Sequence, residues 1–376
     1  MHFVTQAHTG PNPTRLFLAG VLTFALTGAI PAVYGMAVPI LSQRLGLPET
    51  TIGYLISANG LGACCLVVAG IFGLPGLSAR LALTLLALGG VGIYLAPTWP
   101  LVLCAALVAG GGFGLSAVVF NRRFLTEFGA RGPGMVGLIN AAFAIGAIAG
   151  PFLVIAAQGN VTLVMGAIGL ILALMIPVVQ PSQRQAAATT LAAPRLDRRW
   201  IILVFAALAV TVEVGVYGFG PAALIQSGWT VEQTARLTSG FFLAFLLGRL
   251  ALFWLTRKIR VEWLYLASLI GSCASLALAA MGAPALGFVA AGAFIGMSFP
   301  SYFVWVSNIL GADNRVASSV IATSLGGATV GPLILGPVLN GLGTQSIFAV
   351  AAVLSGLTAV LMAAAIVWQS RTNPQE

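Results

Sequence analysis

The sequence predicts an all-α membrane protein, with twelve transmembrane helices in two pseudo-symmetric six-helix bundles, on three observations. Of 376 residues, 59% are hydrophobic and only 7% charged, against about 25% charged in a soluble domain. Apolar runs long enough to cross lipid recur twelve times. Short motifs of the first half return in the second at a nearly constant offset. Seventeen basic and 8 acidic side chains cannot cover so much apolar surface. That excludes a soluble enzyme, a nucleic-acid binder and a disordered chain. The 46 glycines and 19 prolines suit membrane helices, where both are commoner than in soluble ones. The net charge of +9 belongs to basic loops on one side of a membrane rather than to a polyanion site.

A helix crossing about 30 Å of hydrocarbon needs about 20 apolar residues. By that measure the spans are 15–41, 51–73, 80–97, 99–121, 134–157, 160–180, 200–226, 234–256, 262–282, 284–309, 316–341 and 344–368. The first is too long for the apolar region of a signal peptide and has no evident cleavage site, so it reads as an anchor. With the N-terminus inside, the inner loops hold Arg15, Arg80, Arg122, Arg123, Arg131, Arg184, Arg195, Arg198, Arg199, Arg257, Lys258, Arg260, Arg315 and Arg371. The outer loops hold Arg44 and Arg236 alone. This asymmetry predicts both termini in the cytoplasm of a multi-pass bacterial inner-membrane protein, and it supports the even number of spans. The longest polar stretch, Pro181 to Arg199, reads as a flexible cytoplasmic linker between an N-terminal bundle, 1–180, and a C-terminal bundle, 200–376.

The two halves repeat one another. Val33-Tyr34-Gly35 returns as Val216-Tyr217-Gly218, and Glu49 and Thr51 return as Glu232 and Thr234, all at an offset of 183. Gly114-Leu115-Ser116 parallels Gly296-Met297-Ser298. Gly146-x-x-x-Gly150-Pro151 parallels Gly327-x-x-x-Gly331-Pro332. Small residues four apart let helices approach closely, and proline loosens the helix. Two parallel homologous halves joined by a central loop are the arrangement of major facilitator transporters.

Several segments resemble the fucose–galactose–proton symporter branch of the major facilitator superfamily. They are Asn121 with the block Gly137 to Pro151, then Glu213-Val214-Gly215, then Ser239-Gly240-Phe241-Phe242 leading to Gly248-Arg249-Leu250. Gly296 to Pro300, Gly326-Gly327 and Gly331-Pro332 complete the likeness. The resemblance implies the major facilitator fold and proton-linked sugar uptake. It also implies that spans 5 and 11 close the extracellular side, with Gly150, Pro151, Gly331 and Pro332 in the gate. The chain departs from the branch in having no acid in span 1, and Ser116 where a span-4 acid would fall. The loop Gly73 to Arg80 also lacks the acid of the superfamily's Gly-x-x-x-Asp-Arg signature. The drug-exporter motif of span 5 is likewise incomplete, because Gly150-Pro151 runs into Phe152-Leu153-Val154.

Only Glu213 and Arg249 are charged residues well inside spans. An ionisable group there costs several kcal/mol and usually faces a cavity or partner. Glu213 is the expected proton-coupling residue or an acceptor for substrate hydroxyls; the structural alternative is a carboxyl paired to a neighbouring helix. Arg249 is read as a gating brace, with an anion contact or a side chain snorkelling to the interface as alternatives. Phe241, Phe245 and Arg249 share a face by their spacing, as do Ser298, Tyr302 and Trp305, and Glu213 and Tyr217. Aromatic and hydroxyl groups together suit a sugar ring. Tyr34, Asn59, Asn121, Asn140, Phe143, Tyr217, Phe241, Phe245, Ser298, Tyr302 and Trp305 are therefore the substrate-binding candidates. The plainer alternatives are an interfacial aromatic belt for Tyr and Trp and helix-gluing amides for Asn.

Cys64, Cys65, Cys104 and Cys273 lie in apolar runs, so neither a disulfide framework nor a metal site is expected. His2 and His8 lie in the N-terminal tail. No phosphate-binding loop and no nucleophile–base pair is present. The expected function is proton-coupled uptake of a sugar or other small polar solute. Efflux of an amphiphile and transport of an organic anion are the rivals. The partners are a small molecule, protons and lipid, with no nucleic acid and no cofactor, and the chain is expected to be a monomer and not an enzyme.

Overall fold

The computed structural model describes residues 13–72, 74–179, 198–310 and 314–372. Among these lie twelve α-helices and no strand. The first six are α1 (Pro13–Leu45), α2 (Glu49–Ile71), α3 (Ala79–Leu95), α4 (Trp99–Glu127), α5 (Gly132–Ala156) and α6 (Val161–Met175). The second six are α7 (Val204–Gln226), α8 (Val231–Leu255), α9 (Val261–Ala280), α10 (Pro284–Leu310), α11 (Asn314–Leu342) and α12 (Ile347–Thr372). Eleven described helices are long and apolar enough to cross a membrane, and α3, at 17 residues, is a shorter apolar helix. The linker expected at 181–199 lies outside the described residues except for its last two positions, which open a short 3-10 segment, Arg198–Leu203. His2 and His8 are outside them too.

Local chemistry sets the helix starts. Thr230 and Gln233 form a reciprocal capping box at α8, each side chain satisfying the other's backbone N–H. Ser78 accepts from the Leu81 N–H at α3, and Asn160 from the Leu163 N–H at α6. Gly228 turns between α7 and α8 at φ 93°, a conformation that side chains rarely adopt.

Within the first six helices, α1 packs on α5, α4 on α2 and α3, and α3 on α6. In the second six, α7 packs on α11 and α12, α10 on α8 and α9, and α9 on α12. The contacts themselves repeat. A Cβ at Gly146 would strike the Ala25 carbonyl, and one at Gly327 the Ala207 carbonyl. Gly110 abuts Asn59 as Gly292 abuts Phe241, and Gly114 abuts Ala63 as Gly296 abuts Phe245. In each case both partners move on by 181 or 182 residues. Glycine is required at these crossings because the facing backbone occupies the space a side chain would need.

The two sets of six meet along a seam. Gly35 of α1 lies against the Tyr217 carbonyl of α7, and Gly53 and Ile56 of α2 against Phe219 and Gly218. Gly336 of α11 packs on Thr50 and Tyr54, and Gly60 on Ala328 and Thr329. Thr238 of α8 reaches the Met36 sulfur of α1 at 3.8 Å. Gln226 Nε2 donates to Glu49 Oε2 across the seam at 2.9 Å. These contacts run from mid-height to the end that carries the α1–α2 and α7–α8 turns, the arginine-poor end.

Candidate functional site

α7 is wrapped by α1, α2, α8, α10, α11 and α12. Yet Glu213 and Tyr217, one turn apart near its middle, are only half-buried. Arg249 on α8 is exposed and within electrostatic reach of Glu213. Its guanidinium carbon lies 4.3 Å from the centroid of the Phe245 ring, a cation–π contact that fixes the plane of the charge. Phe242 stands 6.4 Å from Phe245 and 5.9 Å from Tyr217, centroid to centroid. The result is one opposed charge pair set in an aromatic wall.

The first half supplies polar groups without charge. Tyr34 of α1 is 2% exposed, and its hydroxyl lies beside the Asn59 side chain without a hydrogen-bond partner among the described residues. Asn59 Nδ2 donates weakly to the Ala106 carbonyl at 3.4 Å. Gly35 touches α7 at Tyr217, so the repeated Tyr-Gly pairs of α1 and α7 come together across the seam.

The other candidates fall elsewhere. Tyr302 and Trp305 are buried in an aromatic core with Tyr265 and Phe205, and the Tyr302 hydroxyl donates to the Ile202 carbonyl at 2.9 Å. Ser298 donates to the Ile295 carbonyl and lines a small internal cavity with Ala209, Val212, Ser272, Ser355 and Thr358. Phe241 is fully buried and stacked on Phe288 at 5.0 Å. Phe143 packs edge-on to Phe113 at 6.0 Å. Asn140 is exposed, and its amide donates back to the Val136 carbonyl of its own helix. Asn121 is half-buried, with a buried Oδ1 that has no partner among the described residues.

The glycine–proline motifs also have a definite place. Gly150 lies against Ala29 and Ala32 of α1, and Gly331 against Thr211 of α7; Pro151 and Pro332 are buried beside them. They join α5 to α1 and α11 to α7 inside each set of six. Contacts between the sets are made by α2 on α11, α1 on α7 and α5 on α8. Sequence reasoning did not single out Phe242, which stands between Tyr217 and Phe245. Phe242 was detectable, because 242, 245 and 249 share a helical stripe as readily as 241, 245 and 249.

No protein-family model matches the sequence, and no curated protein does. Solved structures do match. The nucleoside transporter NupG is 16% identical with a TM-score of 0.74, over 93% of this chain and 98% of that one. A D-xylose-proton symporter is 16% identical with a TM-score of 0.73, over 93% and 97%. The major facilitator transporter FucP in its outward conformation is 19% identical with a TM-score of 0.59, over 92% and 98%. Helix count, packing order, repeated contacts and these likenesses agree: the chain is an all-α membrane protein with the major facilitator fold.

Proposed function

We propose that the chain is a secondary transporter working by alternating access, with 1–180 and 200–376 as the moving bodies and 181–199 as their tether. The observation that carries this reading is the accessible Glu213–Arg249 pair at mid-height below a seam shut at the arginine-poor end. The positive-inside bias makes that end extracytoplasmic and puts both termini in the cytoplasm of a bacterial inner membrane. The site then faces inward, in a protein that functions as a monomer.

The substrate is a neutral polar solute. Glu213 and Arg249 offset one another, and no other charge lies well inside the spans, so an organic anion would leave Glu213 uncompensated. Tyr217, Phe242 and Phe245 offer ring faces, and Tyr34 and Asn59 offer hydrogen bonds, which fits a sugar or a nucleoside. Fold neighbours described as nucleoside and D-xylose-proton transporters support that class. Glu213 carries the coupling proton. When it is neutral, Arg249 loses its partner and the pair can reorganise as the halves rock. One observation favours a second reading, proton-driven efflux of an amphiphile: the wall beside the pair is aromatic.

The test is uptake by proteoliposomes across a panel of pentoses, hexoses, nucleosides and amphiphilic drugs, with an imposed pH gradient. Gradient-stimulated accumulation of a sugar or nucleoside supports the proposal. Movement of amphiphiles alone establishes the efflux reading, and no movement of any class overturns both.

A further inference from the structure

Buried serine and threonine hydroxyls in this protein follow a habit. Thr27 donates to the Thr23 carbonyl, Thr238 to Thr234, Ser301 to Met297, Ser324 to Val320 and Thr358 to Leu354. Each returns its proton to the carbonyl four residues back, the usual way to satisfy a hydroxyl inside a membrane helix. Five buried hydroxyls break the habit, on Thr23, Ser57, Thr234, Ser239 and Ser355. Ser57 is 4% exposed and Thr234 0%, and neither oxygen has a partner among the described residues.

Both lie on the seam. Ser57 shares a face of α2 with Thr50, Gly53, Tyr54 and Gly60, and that face packs on α7 and α11 of the other half. Thr234 lies one turn from Thr238, whose hydroxyl touches Met36 across the seam. A buried hydroxyl without a partner carries its full desolvation cost. It recovers that cost when the seam parts and water reaches it.

We propose that Ser57 and Thr234 hold the closed arginine-poor end above its lowest free energy, so that the gate is poised to open. The proposal rests on the alternating-access reading. Its test needs neither substrate nor gradient, so a failure to transport and a failure of this device are distinguishable.

The experiment is hydrogen–deuterium exchange with mass spectrometry on the full-length reconstituted protein, read at peptides covering 49–60 and 231–240, beside a melting curve. Ser57→Ala and Thr234→Val remove the orphans while keeping shape. Each is expected to slow exchange at the seam about five-fold or more and to raise Tm, with additive effects in the double variant. Ser268→Ala is the control, because its buried hydroxyl donates to the Tyr265 carbonyl; it lowers Tm and leaves seam exchange unchanged. Unchanged or faster seam exchange with a lower Tm in the two seam variants overturns the proposal. Slowing by Ser268→Ala as well also overturns it.

Discussion

Arg249 lies with its guanidinium over the ring of Phe245, one turn back on α8, and within electrostatic reach of Glu213 on α7. The ring orients a cation that would otherwise snorkel along the helix. A cation–π contact contributes about 0.5–2 kcal/mol depending on desolvation. Phe245→Leu and Arg249→Lys are therefore expected to slow substrate exchange by roughly three- to thirty-fold. Lysine keeps the charge but loses the planar stack. A double-mutant cycle on exchange rate checks it, with the double variant no slower than the worse single one.

The paired glycines predict a symmetric response to overpacking. Gly146→Leu forces α5 off the Ala25 carbonyl, and Gly327→Leu forces α11 off Ala207. Each is expected to cost about 1–3 kcal/mol or more, since backbone cannot move aside as a side chain can. Gly137→Ala meets nothing within 4 Å and is expected to raise Tm slightly through better helix propensity. Thermal melts of the three detergent-purified variants read the contrast.

Tyr302 separates a packing role from a binding one. Its hydroxyl donates to the Ile202 carbonyl inside the aromatic core. Tyr302→Phe is expected to cost about 1 kcal/mol of stability and to leave substrate affinity unchanged. Binding isotherms and melts on the same preparation check both halves of that statement.

The fold was legible because hydrophobic length, arginine placement and repeat spacing are one-dimensional signals. The span expected at 80–97 appears as α3, Ala79–Leu95, and the Gly146/Gly327 repeat appears as two equivalent crossings. The site was less legible, for a physical reason. In a soluble helix an apolar stripe marks the core, but here lipid and core are both apolar, so a stripe does not say which way it faces. The spacing of Ser298, Tyr302 and Trp305 correctly put them on one side of α10, and that side turns to α9 and the packed interior. The same ambiguity made Phe241 and Phe242 indistinguishable until α10 placed Phe288 against the former. Glu213 and Arg249 stood out as candidates because charge in lipid is costly wherever it points.

The most direct test of the account is proton movement on adding uridine or D-xylose to lightly buffered proteoliposomes. Addition to wild-type protein is expected to alkalinise the medium. Glu213→Gln should abolish that signal while substrate exchange between equal concentrations persists. Full proton movement in Glu213→Gln would contradict the assignment of coupling to this carboxyl, and loss of exchange together with proton movement would show that it serves binding instead.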